Sequence, residues 1–155
     1  MRRSGILLAI SSLPSKYGIG TFSKEAYQFV DFLAEAGQSL WQILPLGPTG
    51  YGDSPYQAFS TFAGNPYYID LEEFIEKGWL TEKDCSGYKY GHKNYVEYSI
   101  IFYAKFKLLH KAFENSNIEY VKEYKEFKKN NKEWLDDYAL YMAIKYDLAG
   151  IAWTE

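Results

Sequence analysis

The 155-residue sequence holds a single cysteine, Cys85, so no intramolecular disulfide can staple the chain. That scarcity suits a reducing compartment and predicts a cytoplasmic location. Cys85 falls in the polar stretch Lys83-Asp-Cys-Ser-Gly87, which reads as a loop without a nearby histidine, and this argues against a catalytic thiol. Histidine is nearly as scarce: His92 and His110 are the only two. Neither has a carboxylate or second ligand at metal spacing, so both read as surface residues and no metal site is expected. No apolar run approaches the about 18 residues that a membrane-spanning helix needs. Arg2 and Arg3 precede the apolar run Ile6-Leu-Leu-Ala-Ile10, but that run is too short for a signal-peptide core and no small-residue cleavage site follows.

Basic surplus is missing as well. Lys and Arg number 17 against 20 Asp and Glu, a net charge of −3, which gives no footprint for a nucleic-acid partner. The cluster Lys128, Lys129 and Lys132 is balanced by Glu126 and Glu133 and reads as a solvated face. Complete nucleotide motifs are absent too. Gly18-Ile-Gly20 and Gly50-Tyr-Gly52 lack the third glycine of a dinucleotide fingerprint and the Gly-Lys-Ser/Thr ending of a phosphate loop, and Asp53 opposes a phosphate. Ser11, Ser12, Ser54 and Ser60 lack the Gly-x-Ser-x-Gly elbow of a hydrolase nucleophile.

Aromatic residues, by contrast, reach 19% of the chain, with 16 Tyr, 10 Phe and 4 Trp. Core packing explains much of that excess, but one segment stands apart. Leu44-Pro-Leu-Gly-Pro-Thr-Gly-Tyr-Gly-Asp-Ser-Pro-Tyr-Gln57 follows the apolar run Leu40-Trp-Gln-Ile-Leu44. Glycine and proline punctuate so densely only where the backbone must follow one path. A loop fixed in this way presents side chains. Tyr51 and Tyr56 offer rings that stack on sugars, and Asp53 and Ser54 offer partners for hydroxyls, so carbohydrate is the ligand these residues suggest.

The order of elements begins as an α/β protein. Gly5 to Ile10 predicts a strand buried on both faces. Ser23 predicts a helix N-cap, with Phe22 and Tyr27 placed as a hydrophobic staple. Ala26, Phe29, Val30 and Leu33 recur at helical spacing, and Gly37 supplies the stop. Ser39 to Leu46 predicts the second strand, which makes a right-handed parallel βαβ unit. Beyond the loop, Asp70 caps a short helix that Gly78 ends. Tyr95 to Phe113, Asn117 to Lys129 and Trp134 to Leu148 read as three further helices, a helical subdomain attached to the α/β start. Two strands and one crossover helix cannot close a barrel or cover both sheet faces. The expectation is therefore the opening segment of a longer protein, with a partner supplying the missing strands as the other reading.

Glycoside chemistry needs two carboxyls facing each other across a sugar. Glu72, Glu73, Glu76, Asp136 and Asp137 fall on helix surfaces, Asp70 serves as a cap, and only Asp53 lies in a pocket-forming loop. No complete catalytic set is present among these residues. An aromatic at the carboxyl end of a parallel strand points into the face where ligands bind, and Tyr51 and Tyr56 occupy that position; packing the loop down is their alternative role.

The residues resemble a known family. Ser4-Gly-Ile-Leu-Leu8, Ser11-Ser-Leu-Pro-Ser15 and Tyr17-Gly-Ile-Gly20 are similar to the opening of the amylomaltases, the 4-α-glucanotransferases (disproportionating enzymes) of glycoside hydrolase family seventy-seven. Trp41 through Gln57 resembles that family almost without a break. Phe59-Ser-Thr-Phe-Ala-Gly-Asn-Pro-Tyr67, Ile69-Asp-Leu71, Gly78-Trp-Leu80, Asp137-Tyr-Ala-Leu140 and Trp153 continue the resemblance. It implies the amino-terminal part of a (β/α)₈ TIM barrel with a helical insertion subdomain. Residues 1–70 would supply the first two strands, the first helix and the substrate loop, and 71–155 the helical insertion.

The activity implied is transfer of α-1,4-glucan segments between maltodextrins with retention, using an aspartate nucleophile, a glutamate acid/base and a second aspartate. All three would lie farther along the family than this sequence reaches, so no catalytic residue is assigned here. By the same resemblance Tyr56 stacks on the sugar beside the scissile bond, and Ser54 lies close to substrate. Asp53 positions the loop, and Tyr51 belongs to a second, non-catalytic glucan site. No metal or organic cofactor is implied, and the partners are α-1,4-glucans and the remainder of the enzyme. The 155-residue chain alone is expected to be inactive; a non-catalytic glucan-binding remnant is the alternative.

Overall fold

The structure is a computed structural model that describes residues 2–50, 52–148 and 150. The chain divides into two compact units between Ser116 and Asn117.

The first unit opens with strand β1, Gly5–Leu7, which pairs in parallel with β2, Leu40–Gln42, in the register Gly5↔Leu40, Ile6↔Trp41 and Leu7↔Gln42. Helix α1, Lys24–Glu35, is the crossover between them. It packs on β2 through Phe29, whose ring meets Trp41 edge-on at 4.9 Å, while the Trp41 indole N–H donates to the Leu8 carbonyl at 2.8 Å. Gly37 ends α1 with φ near +69°, the left-handed conformation that a side chain disfavours.

Both strands are shorter than the apolar runs predicted, and they are not buried. The chain turns into a 3₁₀ helix at Ile10–Ser12, and Ile6, Leu7 and Leu40 are 42%, 57% and 50% exposed. The physical reason is the count of layers: among the described residues the sheet has two strands, too few to cover its own faces. Ser23 does occupy the N-cap of α1, but its hydroxyl donates to Glu25 Oε2 at 2.6 Å rather than accepting a backbone N–H. The predicted staple does not form either. Phe22 turns edge-on to Tyr68 at 6.1 Å, and Tyr27 is exposed.

Past the loop, a 3₁₀ turn at Pro66–Tyr68 leads to α2, Leu71–Glu76, capped as predicted by Asp70, whose Oδ1 accepts from the Glu72 N–H at 3.1 Å. Residues 83–87, read as a loop, instead lie at α3, Glu82–Ser86. A reciprocal capping box at Thr81 and Asp84 starts α3, and Cys85 is buried on it, with burial pushing its thiol up. Helix α4, Tyr98–Ser116, is the spine of the unit. Ile101, Ala104, Lys105, Leu108 and Ala112 stand at i, i+3, i+4, i+7 and i+11 and are all buried, so they share one face.

That face serves two cores. Ile101 joins Ile10, Leu13, Ile19, Ala26, Tyr67 and Tyr68; Leu108 and Ala112 join Tyr17, Leu71, Leu80 and Cys85. Fully burying a side chain the size of Ile101 or Leu108 contributes about 1.5–3 kcal/mol each. Tyr17 fixes the β1–α1 connection to the second core, donating its hydroxyl to Glu72 and meeting Tyr90 edge-on at 5.2 Å.

The second unit holds a 3₁₀ turn at Ile118–Tyr120 and two helices, α5, Lys122–Asn130, and α6, Lys132–Asp147. Asn131 joins the helices, with its Oδ1 accepting from the Trp134 indole N–H at 3.1 Å. Among the described residues no helix is long and apolar enough to cross a membrane.

Candidate functional site

The loop that follows β2 is braced by its own backbone and by one asparagine. Phe59 donates its N–H to the Pro48 carbonyl at 3.4 Å, and Thr49 and Ala58 form an antiparallel bridge, so the two limbs of the loop pair. Gly47 makes that pairing possible: a Cβ there would stand 2.7 Å from the Ala58 Cβ. At the tip, Gly52 and Asp53 take consecutive left-handed conformations, φ +89° and +53°, and the Asp53 N–H donates to the Gly50 carbonyl at 3.2 Å. Glycine adopts that geometry freely, and aspartate tolerates it better than most residues.

A second turn presents the tyrosine. The Ser54 carbonyl accepts from the Gln57 N–H at 3.1 Å, and Ser54 Oγ accepts from the Tyr56 N–H at 3.4 Å. These bonds hold the backbone and leave the Tyr56 ring 74% exposed. The structure therefore brings Asp53, Ser54 and Tyr56 into one short segment, with Ser54 fixing the backbone under Tyr56. Tyr51 lies outside the described residues, as does Trp153.

Asp53 is within electrostatic reach of two tyrosines, Tyr67 and Tyr98, which form a tyrosine floor. Burial pushes the Asp53 carboxyl above its usual range, and the Asp53 charge in turn adds to the burial that pushes the Tyr67 hydroxyl up. Tyr98 is pushed up mainly by burial, then by Tyr68 and Asp53. The Tyr67 ring meets Tyr98 edge-on at 5.5 Å and Phe106 at 5.8 Å, so α4 carries the floor.

At the base, Asn65 is buried, and it was not singled out from sequence. Its backbone N–H donates to the Leu46 carbonyl at 2.8 Å and its Nδ2 to the Gly47 carbonyl at 3.2 Å, while its Oδ1 accepts from the Tyr67 N–H at 3.0 Å. The dipeptide Asn65-Pro66 was the available signal, since asparagine before proline marks a side chain that bonds a following backbone N–H. Leu46 and Asn65 also line an apolar cleft of about 320 Å³ with Phe22 and Tyr68.

Chemically the loop offers a ring to stack on and one carboxylate, not a pair of carboxylates facing across a sugar. His92 and His110 are exposed, and among the described residues no group of three His, Cys, Asp or Glu could hold a metal ion.

The family model described as 4-alpha-glucanotransferase, glycoside hydrolase family seventy-seven, matches residues 8–155. The chain belongs to this family. Among curated relatives, the 4-alpha-glucanotransferase of Clostridium butyricum is 53% identical over 94% of the chain. That of Thermus thermophilus is 45% identical over 99%. The solved structure of the amylomaltase from Streptococcus agalactiae in complex with acarbose superposes with a TM-score of 0.87 at 39% identity, covering 98% of the chain. In each case the match takes in about 30% of the other protein: 30% and 31% of those relatives and 31% of the solved chain. The chain thus spans about 30% of the length of the relatives it matches.

Proposed function

We propose that these residues are the amino-terminal part of a 4-α-glucanotransferase that moves α-1,4-glucan segments between maltodextrins. The observation that carries this reading is Tyr56, 74% exposed on a backbone that is otherwise tied down, in a chain matched to this family from residue 8 to residue 155. An exposed aromatic ring on a rigid support loses little entropy when a sugar stacks on it. The similar amylomaltase from Streptococcus agalactiae was solved with acarbose bound, which supports an oligosaccharide as the ligand class.

In this reading residues 1–70 provide the first two strands and first helix of a (β/α)₈ barrel together with the substrate loop, and 71–155 belong to a helical insertion. Tyr56 stacks on the sugar next to the bond that breaks, Ser54 and Asp53 shape the loop around it, and Tyr51 serves a separate glucan site. The retaining chemistry belongs to carboxylates in the remainder of the enzyme, which also closes the barrel over the exposed faces of Ile6, Leu7 and Leu40. The free, buried Cys85 favours a cytosolic setting.

The test is disproportionation of maltotriose. The full-length protein releases glucose and forms longer maltodextrins, and residues 1–155 alone do neither. Tyr56→Ala in the full-length protein lowers turnover much more than Tyr51→Ala. Equal losses would remove the distinction between the two tyrosines, and turnover by residues 1–155 alone would place catalytic acids within them.

A further inference from the structure

Among the described residues, the Tyr56 loop has hydrogen bonds of two kinds, within itself and to the segment that follows it. Three backbone bonds among the described residues are internal: Asp53 to Gly50, Gln57 to Ser54, Phe59 to Pro48. Such bonds shape the loop without fixing where it stands. The Asn65 side chain supplies an external link, beside the backbone bond from the Asn65 N–H to the Leu46 carbonyl. One amide group reaches both ways, its Nδ2 to the Gly47 carbonyl in the loop's outgoing limb and its Oδ1 to the N–H of Tyr67. Tyr67 cannot shift easily, since its ring is 6% exposed and wedged against Tyr98 and Phe106 of α4.

We propose that Asn65 is a positioning residue for the glucan-transfer reaction. It ties the substrate loop to the α4-held tyrosine floor and so sets where the Tyr56 ring stands. The inference rests on the reading of Tyr56 as substrate-facing. A simple cap of the Pro66–Tyr68 turn would use only Oδ1. The Nδ2 donor is superfluous to that cap and is the atom that reaches the loop. A buried donor of this kind, once removed, leaves the Gly47 carbonyl without its Asn65 partner, and small displacements of a substrate-positioning group lower rates steeply.

Two substitutions separate clamp from cap. Asn65→Asp keeps a capping oxygen but sets a second oxygen against the Gly47 carbonyl; Asn65→Ser keeps a neutral capping oxygen and removes the Nδ2 arm that reaches Gly47, since one short hydroxyl replaces the amide. In the full-length protein acting on maltotriose, each lowers kcat/KM about tenfold with most of the loss in kcat, the same parameter that removal of the Tyr56 ring lowers. Amide exchange at Asp53 and Phe59 speeds up by about tenfold or more in both variants, while the α4 amides stay protected. In a Tyr56→Ala background either substitution lowers kcat/KM by no more than about twofold further, the non-additivity expected when one residue acts through the other.

Unchanged loop exchange in both variants overturns the clamp. So does an equal loss of kcat/KM with and without Tyr56. If Tyr56→Ala alone leaves kcat/KM intact while loop exchange still accelerates in the Asn65 variants, the clamp stands and the substrate role of Tyr56 falls.

Discussion

The ammonium of Lys105, buried on α4, donates a hydrogen bond to the carbonyl of Ile69, 36 residues earlier in the chain. It lies on the helix face between Ile101, which joins one core, and Leu108, which joins the other. Burial lowers its pKa to about 8, against partial support from the Asp70 charge. Lys105 therefore links the helical half of the first unit to the segment that leaves the tyrosine floor.

Lys105 also makes a prediction about pH. A lysine with a lowered folded pKa holds fewer protons in the folded state than in the unfolded state between that pKa and its ordinary value. Its burial penalty is thus present below pH 8 and is relieved as pH rises from about 8 toward 10. Measured by denaturation of the full-length protein, the stability of wild type relative to Lys105→Met should move in favour of wild type by on the order of 2 kcal/mol between pH 8 and 10. The difference between the proteins matters, because Cys85 and several buried tyrosines have raised pKa values and pull the absolute curve the other way. A pH-independent difference would show that Lys105 stays charged and hydrated in the folded protein.

Gly47 and Ala58 test the brace of the loop. Gly47→Ala places a methyl 2.7 Å from the Ala58 Cβ, closer than side chains approach, so the paired limbs must separate. In the full-length protein kcat/KM for maltotriose should fall by about tenfold or more, as for other displaced substrate contacts. Adding Ala58→Gly opens the space again and should restore most of the loss. Equal activity in Gly47→Ala and wild type would mean the limbs do not need to pair.

Asp53 separates conformation from charge. Its φ of +53° is a strained region for most residues, and asparagine tolerates it as well as aspartate does. Asp53→Ala should destabilise the protein by about 1 kcal/mol relative to Asp53→Asn. The raised carboxyl pKa adds a pH dependence. A carboxyl that burial keeps protonated favours folding at low pH, and that contribution is lost as pH rises through its folded pKa. Asp53→Asn should therefore have a higher Tm than wild type at pH 7, with the gap narrowing as pH falls toward 4. A gap that widens on acidification would mean the carboxylate is stabilised in its charged form.

Much of this fold was legible because its signals are local. Asp70 as a cap, Gly37 and Gly78 as stops, the 3.6-residue period of α1 and α4 and the parallel pairing of β1 with β2 each follow from a few neighbouring residues. The errors share another cause. The apolar run at Ile6–Ile10 reads as a buried strand, but burial depends on layers contributed from elsewhere, and Leu7 is 57% exposed here. Phe22 matches a staple pattern, yet Tyr68, 46 positions away in sequence, captures its ring. Cys85 reads as a loop residue because its neighbours are polar, whereas α3 is a single capped turn that buries only one of its five residues.

The sequence by itself determined the family, the character of the loop from Leu44 to Gln57 and the candidate residues Asp53, Ser54 and Tyr56, because composition, turn chemistry and motif are properties of contiguous residues. The tertiary structure decided what holds that loop in place. The reach of Asn65 from Gly47 to Tyr67, the ring floor carried by α4 and the buried Lys105 join residues 18 to 39 positions apart. Apart from the bond to the Tyr67 N–H, which Asn65-Pro66 signals locally, such links follow from which side chains packing brings into contact, and no local pattern in the chain encodes them.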